Sequence, residues 1–298
     1  MSGQEYPNRP IRLVTAGLGT GGDFAARLIA QGISGPLGQQ VIVENRASGN
    51  ITGEIVAKAP PDGYTLLLFG GGLWLAPFLD DKTPYDPVRD FSPIALATSA
   101  PNLMVVHPSL PVKSVKELIA LAKAKPGVLN YGSGGTAASS HLAAELFKAL
   151  AGVDILRINY KSAGAALNDL IAGQVQLAFG TAGSLVPHAK SGRLRILGVT
   201  SAQPSALLPG LPTVAASVPG YEAGTISAIF APAKTSDSII NRLNQEIVRG
   251  INRPEIKEKF TNAGVEVIGG SPDQLAAYVK ADMSKMGKVI KDAGIKVD

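Results

Sequence analysis

The chain has 298 residues, of which 45% are hydrophobic and 17% are charged. This composition is typical of a globular protein and excludes intrinsic disorder, which needs few apolar residues and a high net charge. The formal net charge is +5, but the basic residues are scattered, whereas a nucleic-acid site needs a clustered basic patch. We therefore expect no nucleic-acid partner.

The first part of the chain alternates strand and helix patterns. Predicted strands at 11–15, 41–43 and 64–69 are separated by predicted helices at 23–35 and 51–59. Strands that alternate with helices in this way imply parallel βαβ units, with both faces of the sheet covered.

The later part repeats the alternation. Ser114 and Glu117 form a capping box at a helix start, and Ser271, Pro272 and Gln274 mark another. The predicted strands are 103–106, 129–131, 155–160, 175–179 and 194–199, and the predicted helices are 114–123, 139–151, 165–172, 236–251 and 271–292.

A possible dinucleotide fingerprint lies after the first strand. Gly17-x-Gly19-x-x-Gly22 opens a helix, and Glu44 stands 22 residues after the third glycine, as a ribose-binding acid would. Asp23 would repel a pyrophosphate at that helix N-terminus, and it can instead serve as the N-cap. An NAD(P)-dependent oxidoreductase is therefore kept as an alternative.

Candidate catalytic groups are few. The sequence has no cysteine and three histidines, His107, His141 and His188, with no second ligand at metal-binding spacing. It contains no Gly-x-Ser-x-Gly motif and no Walker A motif. His141 follows a glycine-rich segment, where it either contacts a ligand or occupies the first turn of a helix. We expect no enzyme activity, no cofactor and no metal.

Four glycine-rich turns, at 17–22, 70–72, 132–135 and 180–183, each follow a predicted strand. Ligands of open α/β sheets bind beyond the carboxyl ends of the strands, and glycines there let backbone N–H groups approach a ligand. Two turns lead into helices, whose N-termini suit a carboxylate. No arginine or lysine lies inside any turn, which favours a carboxylate held by neutral donors. Each glycine alone could simply close a tight turn, but four together favour a cleft between two lobes.

Short segments along nearly the whole chain match a known family pattern, and Pro84-Tyr85-Asp86-Pro87-Val88-Arg89-Asp90-Phe91 is the most specific. The others are Tyr6 to Val14, Val43 to Arg46, Pro61 to Leu67, Leu129 to Ser133, Asn159 to Lys161, Gly173 to Val175, Leu211 to Val214 and Ala293 to Lys296. In these segments the chain resembles the Bug-type (TctC-like) solute receptors of the tripartite tricarboxylate transporters.

The resemblance implies a periplasmic, monomeric binding protein of α/β class with a two-lobed, periplasmic-binding-protein-like fold. Each lobe would be a sheet flanked by helices, and two crossing segments would join them. Lobe one would comprise 1–101 and 228–298, and lobe two 102–227. A small organic carboxylate would be enclosed between the lobes and delivered to the membrane transporter subunits. A ligand sensor for a signalling partner would use the same site. The first four residues lack the features of a signal peptide, but a leader that had been removed would leave the same start.

Two departures from the family pattern bear on the ligand. Ala16 to Thr20 replaces a proline-rich stretch found in many members, so we expect a more flexible first loop. Gly180 stands where many members carry an acid that pairs with a ligand amino group, which favours a dicarboxylate or an aromatic carboxylate over an amino acid. The first loop and the segment 160–164 would set this choice.

We predict that the ligand-binding residues lie in and beside the four turns. Trp74, the only tryptophan, follows the second turn and either lines the cleft or packs beneath the loop. The predicted set is Thr15, Leu18, Thr20, Gly21, Gly22, Asp23, Gly71, Gly72, Trp74, Ser133, Gly134, Gly135, Thr136, Ser139, His141, Tyr160, Lys161, Phe179, Gly180, Thr181 and Ser184.

Overall fold

A computed structural model describes residues 6–15, 17, 20–46 and 49–297. In chain order the elements are β1 (Ile11–Thr15), α1 (Gly21–Leu37), β2 (Val41–Asn45), α2 (Gly49–Ala57), β3 (Thr65–Phe69), α3 (Gly71–Leu79), β4 (Phe91–Val106), α4 (Val115–Ala124), β5 (Asn130–Ser133), α5 (Ser139–Ala151), β6 (Leu156–Asn159), α6 (Ala163–Ile171), β7 (Leu177–Thr181), α7 (Ala182–Lys190), β8 (Arg195–Val199), a 3₁₀ turn (Val214–Ala216), β9 (Gly224–Pro232), α8 (Asp237–Ile251), α9 (Pro254–Asn262), β10 (Glu266–Gly270) and α10 (Pro272–Asp292).

The chain forms two compact units. The first unit comprises 1–99 and 226–285, and the second comprises 100–225 and 286–298. The chain therefore changes unit within β4, within β9 and a third time inside α10, and this third passage was not predicted. Among the described residues, no helix is both long enough and apolar enough to span a membrane.

The first unit is built on a mixed sheet. β1 pairs in parallel with β2 and with β3, while β3 pairs antiparallel with β9 and β10 pairs antiparallel with β4. The prediction of parallel βαβ units is thus correct for β1 to β3 and wrong for the rest of this sheet. The carboxyl ends of the three parallel strands meet at one edge, and α1 and α3 begin there.

Helices α1 and α8 pack closely in this unit because two glycines face each other. An added Cβ on Gly32 would lie 3.0 Å from the carbonyl oxygen of Gly250, and one on Gly250 would lie 2.8 Å from Ile33. Buried side chains surround the contact, among them Ile29 of α1 and Ile247 of α8. The missing side chains therefore set how near the helices come.

In the second unit, β5 lies between β6 and β7 and is parallel to both, whereas β4 is antiparallel to β7 and β8. One face of this sheet packs Leu103, Ala178 and Val199 into a hydrophobic cluster. On the other face, Phe179 of β7 contacts Phe147 of α5, with ring centroids 6.2 Å apart. The prediction of parallel units again holds only for the strands that alternate with helices.

Several predicted boundaries are wrong. Ser133, Gly180 and Thr181, expected in turns, are strand residues, and α3 and α7 were not predicted at all. Helices α3 and α7 each start beside glycine and contain a proline, so their local sequences disfavour a helix. In α3 the burial of Leu73, Trp74, Leu75, Ala76 and Leu79 offsets that cost. The early part of β4, together with β9, α9 and β10, was also missed.

Both predicted helix caps are confirmed, and the full capping box forms at Ser271, whereas the Glu117 carboxylate accepts from the N–H of Lys113, one residue before the cap Ser114. The Ser114 hydroxyl accepts a hydrogen bond from the backbone N–H of Glu117 at 3.2 Å. At the start of α10, the Ser271 hydroxyl accepts from the Gln274 N–H at 3.2 Å, and the Gln274 side chain accepts from the Ser271 N–H at 2.8 Å. These local signals act within one turn of helix, which is why the sequence reveals them.

We expect Gly32→Ala to lower the free energy of unfolding by about 1–3 kcal/mol, because the new methyl group pushes α8 away from α1. Denaturant unfolding measures the change. In the control Gly35→Ala, on the same helix, the added Cβ meets no atom within 4 Å. Alanine has a higher helix propensity than glycine, but Pro36 disfavours the helical backbone conformation of a non-glycine residue before it. These two effects oppose each other, so the free energy of unfolding should change little. Equal losses in both variants would contradict the close-contact explanation.

Candidate ligand-binding site

In the first unit, helices α1, α2 and α3 follow the parallel strands β1, β2 and β3, and α1 and α3 carry the first two predicted turns. Thr20 is the N-cap of α1: its hydroxyl accepts from the Asp23 N–H at 3.3 Å and donates to the Gly17 carbonyl at 2.8 Å. The second predicted turn is itself the start of α3, whose N-cap Gly70 provides no side-chain hydrogen bond. An added Cβ on Gly70 would lie 2.3 Å from the Ile226 carbonyl oxygen, so this position needs glycine.

Asp23 is not the N-cap, contrary to the prediction, but the third residue of α1. It is 5% exposed and forms an ion pair with Arg27 at 2.9 Å. Its carboxylate also accepts from the Asn45 side-chain Nδ2 at 2.9 Å, and Arg27 donates to the Asn45 side-chain Oδ1 at 3.2 Å. The buried acid therefore holds a half-exposed guanidinium at the site edge, which the sequence analysis missed.

The acidic residues of the dinucleotide fingerprint form ion pairs within the protein. Glu44, the expected ribose-binding acid, accepts from Arg12 at 2.9 Å and is also paired with Arg46. Gly19 lies outside the described residues. With both acids of the motif engaged by arginines, the geometry argues against a nucleotide site here.

In the second unit, three helices begin at the carboxyl edge of β5, β6 and β7. Ser162 caps α6 by accepting from the Ala165 N–H at 3.2 Å. Neither α5, after Ala138, nor α7, after Thr181, has a side-chain cap among the described residues. First-turn N–H groups have no partner within their own helix, so α5 and α7 present donors and the positive ends of their dipoles at this edge.

Arg157 brings a positive charge to the third turn from the neighbouring strand β6. Its Nε donates to the Ser133 hydroxyl at 2.9 Å, and its terminal nitrogen donates to the Gly134 carbonyl at 3.0 Å. A positive charge therefore lies beside this turn although none lies inside it, and the expectation that neutral donors hold the ligand stays a prediction. The sequence signal that could have revealed this contact is an arginine in the predicted strand that follows the turn. Parallel pairing of that strand with the strand before the turn places the arginine beside it.

His141 lies in the first turn of α5 and is 3% exposed. Its Nδ1 accepts from the Ala137 N–H at 3.1 Å, and Ala137 has a left-handed φ of 62°, which is strained for a residue with a side chain. Burial, with a smaller contribution from the charge of Arg157, lowers the pKa of His141 to about 4. A neutral imidazole therefore holds the loop that leads into α5.

Trp74 lies inside α3 rather than at the end of a turn. It is 1% exposed, and its indole N–H donates to Asp282 at 2.8 Å. Its ring also packs on Phe230 and Tyr278. These contacts favour the alternative in which Trp74 packs beneath the loop.

The remaining predicted residues separate into buried and accessible groups. Thr15 is buried with its hydroxyl donating to the Leu68 carbonyl at 3.0 Å, and Phe179 lies in the core. Leu18 lies outside the described residues. Half-buried or exposed are Thr20, Gly21, Gly22, Gly71, Gly72, Gly135, Thr136, Ser139, Tyr160, Lys161, Gly180, Thr181 and Ser184, while Gly134 is buried.

The chemistry of both edges suits an anion bound without a metal ligand set. No group of three or more metal-ligating side chains occurs in the described part of the chain. What each edge offers is backbone N–H groups, hydroxyls and arginine side chains, a set of donors that matches carboxylate oxygens.

The chain matches a family model described as the tripartite tricarboxylate transporter family receptor over residues 25–295. It is 38% identical, over 96% of this chain and 86% of that protein, to the UPF0065 protein in the tcbD-tcbE intergenic region of Pseudomonas sp. (strain P51).

Solved structures match as well. R. palustris Rpa4515 with adipate has a TM-score of 0.78 and 36% identity, covering 98% of this chain and 100% of that one. The periplasmic binding protein BugD has a TM-score of 0.75 and 32% identity, again covering 98% and 100%. The expectation of a periplasmic-binding-protein-like α/β fold is confirmed.

We expect the loss of stability between pH 6.5 and 4 to be smaller in His141→Asn than in the parent chain. The pKa of His141 is about 4 in the folded state against 6.5 for the free side chain, so the unfolded state binds the proton first. The contribution of neutral His141 to the free energy of unfolding is therefore fully present above pH 6.5. It is lost as the pH drops towards 4, by up to ~3 kcal/mol. The asparagine oxygen replaces Nδ1 as an acceptor and does not titrate. Urea unfolding across this range measures both proteins, and parallel pH profiles would contradict the lowered pKa.

Proposed function

Because this chain belongs to the tripartite tricarboxylate transporter receptor family, we propose that it is a periplasmic solute receptor. It binds a small organic carboxylate without catalysis and delivers it to the membrane subunits of such a transporter. The observation that carries this proposal is the pair of sheet edges where helices α3, α5 and α7 begin without side-chain caps.

A dicarboxylate fits these edges best. Each unit places an arginine beside uncapped or glycine-lined helix starts, Arg27 in the first unit and Arg157 in the second. Two charged ends of one ligand would suit two such edges. The structure of Rpa4515 with adipate, a dicarboxylate, supports this class. The expectation that one ligand contacts turns of both units stays a prediction.

The fourth turn favours a ligand without an amino group. Gly180 supplies no acid, and the hydroxyls of Thr181 and Ser184, 3.1 Å apart, lie beside it. An ammonium group is best held by a carboxylate. An amino acid is therefore a poorer candidate than a dicarboxylate or an aromatic carboxylate.

A thermal-shift screen of mono-, di- and aromatic carboxylates tests the proposal. A ligand at 100 times its Kd should add ~2.7 kcal/mol of apparent stability. NADH is included as the probe for the oxidoreductase alternative, and stabilisation by NADH alone would overturn the proposal. A pull-down from membranes separates delivery to a transporter from capture by a signalling partner.

We predict that proline at the first position of α1, α5 or α7 weakens binding while the helix still forms. Gly21→Pro, Ser139→Pro and Ala182→Pro each remove one N–H, and proline is well tolerated at this position. The preceding residues already have extended backbones, with ψ of 165°, 153° and 150°, as a residue before proline requires. Each variant should lose about 1.5–3 kcal/mol of binding to adipate by calorimetry, because the bond is to a charged group.

The matched control is Asp237→Pro at the start of α8, where Ser236 is likewise extended, with ψ of 146°. The Ile239 side chain of its first turn lies against Gly63, which precedes β3. The helix therefore begins at the opposite edge of the first unit's sheet from the starts of α1 and α3, and affinity should not change. Unchanged affinity in all three site variants would exclude these helix starts as ligand contacts. A loss in Gly21→Pro alone or Ser139→Pro alone would show that only one unit holds the ligand.

A further inference from the structure

Asn102, in β4, is a buried polar residue of the second unit that the fold does not account for. It is 0% exposed, and neither its Nδ2 nor its Oδ1 has a hydrogen-bond partner among the described residues. Its backbone carbonyl, in contrast, accepts from both the N–H and the hydroxyl of Thr200, at 2.9 and 2.8 Å. Buried side-chain amides are almost always hydrogen-bonded, so this amide costs stability within the unit.

The strand register places Asn102 at the candidate site. It lies directly opposite Thr181, the residue that precedes α7. Opposite residues of an antiparallel pair point to the same face of the sheet. Phe179, two residues before Thr181, also points to that face and packs on Phe147 of α5. Asn102 therefore lies on the face covered by α5, at the edge where α5 and α7 begin.

We propose that Asn102 determines ligand specificity at this edge and recognises a 2-hydroxycarboxylate. This inference rests on the function proposed above. A side-chain amide offers a donor and an acceptor side by side. A carboxylate has only acceptors, so it satisfies Nδ2 and leaves Oδ1 without a partner. A hydroxyl beside the carboxylate supplies the donor that Oδ1 needs, and the ligand then pairs with both atoms.

Two pairs of ligands that differ by one hydroxyl test the proposal: succinate with malate, and adipate with 2-hydroxyadipate. Calorimetry on the parent chain should show at least about tenfold tighter binding of the hydroxylated member in one pair, because a site built to bond a hydroxyl rejects a ligand without it. In Asn102→Leu, which keeps a similar volume, the two members of that pair should bind with equal affinity.

Ligand-free stability gives a second readout. Asn102→Leu removes a buried amide without partners, so its urea midpoint should rise while its affinity falls. Tyr85→Phe is the matched control, because the Tyr85 hydroxyl is also buried without a partner among the described residues and lies in the first unit, whereas Asn102 lies in the second. It should raise the midpoint and leave the hydroxyl preference unchanged. If the leucine variant does not fold, Asn102→Ala is measured with the same ligands.

The outcomes separate this inference from the proposed function. If the parent chain binds none of the four dicarboxylates, the proposed dicarboxylate receptor fails and this inference fails with it. If it binds them without a preference for the hydroxyl, only the role of Asn102 is wrong. A hydroxyl preference that persists in Asn102→Leu and Asn102→Ala would also show that the proposed role of Asn102 is wrong.

Discussion

The parallel pairing of β1 with β2 and β3, and of β5 with β6 and β7, is the constraint on which the site in each unit depends. Parallel strands end at the same edge, so the helices that follow them begin side by side. Unpaired N–H groups from several first turns then converge at one edge without any long-range contact between side chains. The antiparallel strands β4 and β9 widen the sheets, but no helix begins at these edges directly after them.

Charge at these edges is organised by residues that the ligand need not contact. Buried Asp23 holds Arg27 and Asn45 in one hydrogen-bonded group. The charge of Arg27 balances the negative charge of Asp23, which would otherwise repel an anionic ligand. In the second unit Arg157 takes the corresponding position, and its charge adds to burial in keeping His141 neutral. Each edge thus has an arginine beside it although the glycine turns contain no basic residue.

Stability and function conflict at two kinds of position near the second edge. Ala137 adopts a left-handed backbone that glycine would adopt more easily, and His141 holds it there through one hydrogen bond. Asn102 buries an amide that has no hydrogen-bond partner in the described part of the chain. Both cost folding free energy, and such costs are concentrated at functional sites, where an alternative residue would stabilise the chain but remove a ligand contact.

The sequence by itself determined the α/β class, most strand and helix positions and the helix caps at Ser114 and Ser271, because each of these follows from residues close together in the chain. It could not reveal α3 or α7, whose glycines and prolines disfavour helix locally and whose buried faces exist only after packing. It also could not place Arg157 beside Ser133, Asn102 opposite Thr181 or Asp282 on the indole of Trp74. Those contacts join residues between 24 and 208 positions apart, and only strand register and helix packing bring such residues together.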